Sequence, residues 1–127
     1  MEERELQAVL EGYMKAFEER ELAQCVDCFA EDAVLHFGRA ALGLGRFQGK
    51  AEIEEWHKNR FAADARIIKV EDIEVKDNKV YVRCAVTSSR LQAYMINNIR
   101  GSGTFTFEQG KIKELHLGLI SGFRLHN

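Results

Sequence analysis

The chain has 127 residues, 46% of them hydrophobic and 30% charged, and its formal net charge is −2. This composition is typical of a single globular domain and excludes a disordered chain. No basic block interleaves with aromatic residues and no apolar run nears the ~20 residues that span a bilayer, so neither nucleic acid nor a membrane is an expected partner.

The first part of the chain is predicted to be helical. An apolar stripe at helical spacing, which includes Tyr13 and Phe17, predicts a first helix over about residues 2–19. A shorter stripe between Leu22 and Phe29 predicts a second helix, and the segment 30–33 then breaks the helical period.

A short strand, a loop and a third helix follow. Val34, Leu35 and Phe37 indicate the strand, and four glycines within Gly38–Gly49 indicate the loop. The third helix begins at Lys50 and is expected to end near residues 62–64. Its apolar face carries Ile53, Trp56, His57 and Phe61.

From residue 66 onward the pattern is that of strands. Ile67–Val75 is rich in β-branched residues, and residues 80–88 alternate between apolar and more polar side chains with a period of two. A polar turn is expected at residues 76–79. A long strand or strand pair is predicted for Leu91–Glu108, with the conformation of Leu91–Asn98 left open.

The last strand follows a turn at Gln109-Gly110 and includes Ile112, Leu115, Leu117 and Leu119. Long strands joined by tight turns form a meander, so we predict an antiparallel sheet.

Three stretches of sequence have the order and spacing found in a known family. They are Tyr13–Phe17 leading into Cys28–Val34, then Phe47–Ile53, and finally Gly103–Ile112. Their order and spacing resemble the nuclear transport factor two-like superfamily, which includes ketosteroid isomerases and SnoaL-like cyclases. The resemblance extends over nearly the whole chain. It implies one α+β domain over residues 1–127, a cystatin-like α+β roll in which three N-terminal helices and a curved antiparallel sheet form a cone around a pocket.

Strand alternation assigns one face of the sheet to that pocket. The face is mostly apolar, as small-molecule sites usually are, and its two glycines would leave room beside a ligand. Its expected members are Val82, Cys84, Val86, Ser88, Gly101, Gly103, Phe105, Phe107, Leu115, Leu117 and Leu119. The predicted ligand-binding residues are Phe17, Trp56, Cys84, Ser88, Arg90, Gly103, Phe105 and Leu117.

Tyr13 lies on the apolar stripe of the first helix, so its hydroxyl is expected to be buried and to need a partner. In ketosteroid isomerases a tyrosine at this place donates to the developing oxyanion. The resemblance puts His57 where that family has an aromatic residue that supports the tyrosine. A Tyr13–His57 hydrogen bond would orient the phenol and tune its acidity, which makes these two residues the catalytic candidates. The alternative is that both are core residues bonded to each other or to water.

Two departures from the isomerases bear on the reaction. Their carboxylate base corresponds to Phe37 here and their protonated acid to Gly103, so steroid isomerisation by that mechanism is not expected. His36 is next to the lost base, but alternation turns it outward unless a strand slip or bulge brings it in. His116 is also expected to face outward, with a dimer contact as one interpretation.

Three arginines could surround the mouth of the cone. Arg39, Arg60 and Arg90 would pair there with a carboxylate or enolate of a ligand, or remain solvated. Arg90 shares strand parity with Cys84 and Ser88, so it is the one most expected to point inward.

Cys25-x-x-Cys28 has the spacing of a redox or metal half-site. A zinc site needs two more ligands at suitable spacing, and the sequence has no second pair, so buried apolar cysteines are predicted and neither a metal nor a cofactor. Three cysteines and an acidic start over residues 1–5, unlike a signal peptide, favour a cytoplasmic protein.

Three functional interpretations are open. The first is a SnoaL-like isomerase, cyclase or dehydratase that acts on a hydrophobic carbonyl or ring compound. The second is a non-catalytic module that binds an apolar ligand, because the base and acid are missing. The third is an interaction domain that forms a homodimer through the sheet. Its outward side chains would be Tyr81, Arg83, Ala85, Thr87, Thr104 and Thr106.

Overall fold

The computed structural model describes residues 2–37 and 45–119. Within them, no helix combines the length and the apolar character needed to cross a bilayer. The elements in chain order are α1 Glu3–Glu18, α2 Leu22–Asp27, β1 Phe29–Phe37, β2 Arg46–Gln48, α3 Gly49–Ala62, β3 Arg66–Lys76, β4 Lys79–Thr87, α4 Ser89–Ala93, β5 Ile99–Glu108 and β6 Lys111–Leu119.

The six strands form one curved sheet that does not close on itself, in the order β2-β1-β6-β5-β4-β3. All neighbours are antiparallel except β1 and β6, which run parallel, with Leu35 opposite Leu115. The prediction of an entirely antiparallel sheet is therefore wrong for this pair. No hairpin turn sets the direction of β1 relative to β6, because α3 and the whole meander lie between them in the chain.

One face of the sheet packs against α1, α2 and α3 and holds the core. The predicted alternation is present: Val80 and Val82 of β4 are buried, whereas Tyr81 and Arg83 between them are exposed. The same period continues through β5, whereas in β6 a register shift interrupts it, so that Ile112 and Leu115 are both buried. We call the helix-covered face concave and the opposite face convex. The large, fully buried side chains include Phe29, Leu6, Leu10, Leu35, Ile53, Ile112 and Leu115.

Two predicted turns join the strands of the meander. Asp77 and Asn78 between β3 and β4 have φ of 52° and 62°, and Gln109 and Gly110 between β5 and β6 have φ of 53° and 80°. Two-residue hairpins favour left-handed residues because their twist then matches that of the strands. Asp, Asn and Gly adopt this conformation at lower cost than other residues, which suits Asp77, Asn78 and Gly110 to the turns.

Three element boundaries differ from the prediction. The first strand begins at Phe29, because the segment that breaks the helical period already belongs to β1. The short strand β2 lies inside the predicted glycine loop and pairs with β1. The predicted strand pair from Leu91 begins instead as α4, whose first turn is capped by Ser88, since its hydroxyl accepts a hydrogen bond of 3.3 Å from the Leu91 N–H.

Candidate functional site

A hydrogen-bonded pair lies between α1 and α3 in the interior. The Tyr13 hydroxyl is 2.8 Å from His57 Nε2, and the two residues are 4% and 0% exposed. Apolar periodicity turns both toward the sheet, because each lies on the buried stripe of its helix. Aromatic rings surround the pair, with Phe29 and Phe105 centred 5.6 and 5.9 Å from the Tyr13 ring.

The partner of the second ring nitrogen, Nδ1, shows which nitrogen of His57 carries the hydrogen. Nδ1 lies 2.8 Å from the Ile53 carbonyl oxygen, which can only accept, so Nδ1 carries the hydrogen of the neutral ring. Nε2 is then the acceptor, and the Tyr13 O–H donates to it. The phenol's single proton is thus directed at His57 and not at a neighbouring ligand oxygen.

Burial favours the neutral form of both groups. It raises the pKa of Tyr13 well above 10.0, with smaller contributions from Cys25 and Cys28, and it lowers the pKa of His57 below 6.5, partly offset by the bond to Ile53. If His57 were protonated, both of its nitrogens would donate and the Tyr13 hydroxyl would be free to donate elsewhere. The donor capacity of Tyr13 therefore depends on the protonation state of His57.

Two further donors in this region have no hydrogen-bond partner in the part of the chain that the structure describes. Trp56 Nε1 and Arg60 Nε are buried, and neither makes a hydrogen bond within residues 2–37 and 45–119. Both side chains lie beside Phe37: its ring centroid is 5.6 Å from that of Trp56 and 5.1 Å from the Arg60 guanidinium carbon. Buried donors are normally satisfied, so the lack of an acceptor for these two within the described residues is unusual.

The basic character of this end of α3 is not neutralised. Burial lowers the pKa of Arg60, and the nearby positive charge of Arg90 lowers it further. Among the ion pairs of the described residues, none includes either arginine. The segments 38–44 and 120–127 contain no aspartate or glutamate side chain that could do so. A negative or strongly polarised oxygen is the complementary ligand group.

The residues predicted to line the pocket divide into two sets. Phe17, Trp56 and Phe105 are buried around the Tyr13–His57 pair. The room expected beside Gly103 is occupied, because a Cβ there would lie 3.1 Å from the Phe105 ring and 3.3 Å from Leu117. Close packing by these apolar neighbours therefore replaces the predicted gap.

The remaining predicted residues lie toward the rim. Cys84 is half-buried in β4 with its pKa raised mainly by burial, so its thiol is protonated at neutral pH. Ser88 and Arg90 do not continue the face of β4, because the strand ends at Thr87 and α4 begins. Arg90 is exposed there, so its predicted strand parity is wrong. Arg39 falls outside the described residues.

A surface groove between α1 and β3 was not predicted from the sequence. It measures about 190 Å³, which is below the usual size of a small-molecule site. Its lining includes Met14, Phe17 and residues 67–70. Alternation in β3 could not have indicated it, since two register shifts interrupt the pairing of β3 with β4.

The cysteines of the Cys25-x-x-Cys28 motif have protonated thiols. Burial is the main cause that raises the pKa of both, to about 12 for Cys25. The Cys28 thiol donates a 3.3 Å hydrogen bond to the carbonyl oxygen of Gln24 in the preceding turn of α2. Protonated thiols are poor nucleophiles and poor metal ligands, as expected of cysteines that fill space.

Comparison of the sequence with known families gives one match. Residues 10–115 match the family model described as a SnoaL-like domain. Comparison with curated proteins gives no match.

Solved structures with the same fold are numerous. An epoxide hydrolase/cyclase-like enzyme, SalBIII, with a role in pyran ring formation in the polyether salinomycin, superposes with a TM-score of 0.79 at 18% identity over 93% of this chain and 92% of that one. A proposed polyketide cyclase from Sinorhizobium meliloti gives 0.73 at 23% identity over 87% and 93%. A proposed ketosteroid isomerase from Kribbella flavida gives 0.76 at 12% identity over 95% and 82%. At these identities the likeness establishes the fold alone.

Proposed function

Because this chain belongs to the SnoaL-like domain family, we propose that it is a small-molecule enzyme, an isomerase, cyclase or dehydratase that acts on a hydrophobic carbonyl or ring compound. The observation that carries the proposal is the Tyr13–His57 hydrogen bond inside an aromatic shell. A polar pair in a water-excluded environment is well suited to stabilise charge that develops on a substrate oxygen.

The neighbouring donors suggest how the substrate would be held. Trp56 Nε1 and the Arg60 guanidinium would bind one of its oxygens, and Phe17 and Phe105 would contact its apolar body. Cys84, Gly103 and Leu117 belong to the same proposed wall, with Ser88 and Arg90 at its rim. The positive charge of two arginines without acidic partners favours a carboxylate, an enolate or a polarised carbonyl at this end.

The proposed chemistry follows from the tautomer of His57. Neutral His57 accepts the Tyr13 proton, so Tyr13 would donate to a substrate oxygen only when His57 is protonated. The protonated pair is the form that would stabilise an oxyanion. Phe37 and Gly103 stand at the positions where isomerases have carboxyl groups, so a group other than these two would remove a substrate proton.

A non-catalytic binding module is the second candidate. It is favoured because the Tyr13 hydroxyl already donates its hydrogen bond within the protein, to His57. In this case Trp56 and Arg60 would hold a ligand that is released unchanged. The predicted cytoplasmic location and a homodimer through the convex face remain proposals in both cases.

Trp56 is the sole tryptophan of the chain and therefore reports directly on this site. We would first record native mass spectra of the fresh protein, which give its oligomeric mass and any bound molecule. That molecule and a series of cyclic ketones with their carboxylate analogues would then be titrated while Trp56 fluorescence is followed. Saturable quenching is expected, and a flat response across the whole series would contradict a ligand site at Trp56.

Product analysis of the compounds that bind separates the two candidates. Tyr13→Phe is expected to lower turnover at least about tenfold with little change in ligand affinity. The loss of a single oxyanion donor usually lowers the catalytic rate by more than this factor. Tyr81→Phe is the matched control, since Tyr81 lies on the convex face. Binding without any conversion would favour the module, and equal turnover in the Tyr13 variant would overturn the catalytic role.

A further inference from the structure

Three metal-ligating side chains meet on the convex face of the sheet, outside the site described above. His36 of β1 lies directly opposite His116 of β6, and Glu114 precedes His116 by two residues. Residues two apart in a strand share a face, so parallel pairing brings all three together. The two imidazole rings are stacked, with centroids 4.2 Å apart and planes 10° from parallel.

Their ligand atoms lie close to one another. Glu114 Oε1 is 3.0 Å from His116 Nε2, and Glu114 Oε2 is 3.7 Å from His36 Nε2. One ligand atom from each of the three residues falls within 4.8 Å of the other two. In a tetrahedral zinc site with bonds of about 2.0–2.2 Å, such atoms lie roughly 3.3–3.5 Å apart. Binding of an ion would therefore require the side chains to rotate until these atoms reach that separation.

The set is accessible and its surroundings are compatible with a cation. The side chains of His36, Glu114 and His116 are 21%, 43% and 50% exposed, so an ion can enter and keep water as its other ligands. Uncharged threonines of β5, Thr104 and Thr106, stand opposite His116 and Glu114. The residue of β2 directly opposite His36 is Arg46, whose positive charge would lower the affinity for a cation.

We propose that His36, Glu114 and His116 bind a divalent transition-metal ion, with Zn²⁺ as the best match. Two imidazoles and one carboxylate are a ligand set that zinc uses when one position stays open. Hard ions such as Mg²⁺ and Ca²⁺ prefer all-oxygen sites and are not expected here. The site is separate from the Tyr13–His57 pair, because it lies on the other face of the sheet.

Calorimetric titration with ZnCl₂ tests the site on chelator-treated protein that carries no affinity tag. One ion per chain is expected. His36→Gln and His116→Gln should each weaken binding at least about tenfold, since each removes a ligand. Two controls remove other potential ligands and should leave binding unchanged: Cys28→Ser on α2, and His126→Gln, which lies outside the described residues.

Nitrogen NMR of the wild-type imidazoles gives a second measurement that does not depend on a variant's folding. Zinc should shift Nε2 of His36 and His116 and leave Nε2 of His57 unchanged. An adventitious ion only, seen as equal binding by wild type and both glutamine variants, would overturn the proposal. So would loss of binding in the Cys28→Ser variant, or zinc shifts confined to His57 or His126.

Discussion

Histidines lie on both sides of the sheet, and their surroundings differ: one is buried and two are partly exposed. On the concave face, His57 is enclosed by aromatic rings, and each of its ring nitrogens has a single partner. On the convex face, His36 and His116 stack on each other beside Glu114 and remain partly open to solvent. Within Val34–Phe37 of β1 and Glu114–Leu117 of β6, where the pairing is regular, alternation turns neighbouring residues to opposite faces.

This contrast explains why the same residue type has different uses. In the enclosed environment burial lowers the pKa of His57, so its neutral tautomer fixes the direction of the Tyr13 hydrogen bond. On the open face, solvent screens the charges, and the side chains of His36, Glu114 and His116 are partly exposed. The interior histidine is therefore held by two hydrogen bonds, whereas the two surface histidines lie beside Glu114 and remain partly exposed.

Truncating one aromatic side chain on each face should show the largest difference. Phe29→Ala removes a fully buried ring and is expected to lower the free energy of unfolding by about 3–5 kcal/mol, because a cavity is left behind. Tyr81→Ala on the convex face, where the side chain is 40% exposed, should cost less than about 1 kcal/mol. Urea denaturation measures both, and similar losses would contradict the assignment of the two faces.

A double-mutant cycle on the buried pair should give an intermediate effect. Tyr13→Phe and His57→Phe each leave one buried polar group without its partner, so each should cost about 1–3 kcal/mol. The double variant removes both groups and should cost less than the two single changes together, by about 0.5–3 kcal/mol. Strict additivity in thermal or urea unfolding would show that the two side chains are not coupled.

A change of pH should produce the smallest effect. The pKa of His57 is lowered by folding, so between 6.5 and its folded value the unfolded chain binds a proton that the folded protein does not. The free energy of unfolding therefore carries no penalty from His57 above pH 6.5. It falls as pH decreases through that window, by at most about 1.4 kcal/mol per pH unit for one proton. The His57→Phe variant should lack this loss, and an equal slope in both proteins from pH 7.5 to 5 would assign it to other groups.

The sequence predicted the features that depend on local period. The apolar stripes of α1 and α3 predict that Tyr13 and His57 each lie on the buried face of their helix, and both are buried. Their contact, which the structure contains, was implied by the family resemblance and not by either period. Alternation in β4 and β5 separated Val82 and Phe105 from the exposed side chains beside them. These patterns follow from the geometry of one helix or one strand, so no tertiary information was needed.

Features that depend on contacts between distant segments were not predictable. The proximity of His36 to His116 requires the parallel register of β1 with β6, which no hairpin specifies. Strand alternation predicts an inward Arg90, but the strand ends at Thr87 and the chain turns into α4, which Ser88 caps. The three residues of β2 were too few to show a period, and they become a strand only by pairing with β1.

The pairing of β1 with β6 also has a consequence for how the protein forms. Leu35 and Leu115 face each other across about 80 residues of chain, so this ladder closes a far longer loop than any hairpin of the meander. β1 precedes β6 in the chain, so the backbone groups of β1 that pair with β6 stay unpaired until β6 has been synthesised. With no proline in the sequence, X-Pro isomerisation cannot slow folding, and the late closure of this ladder is the step expected to limit its rate.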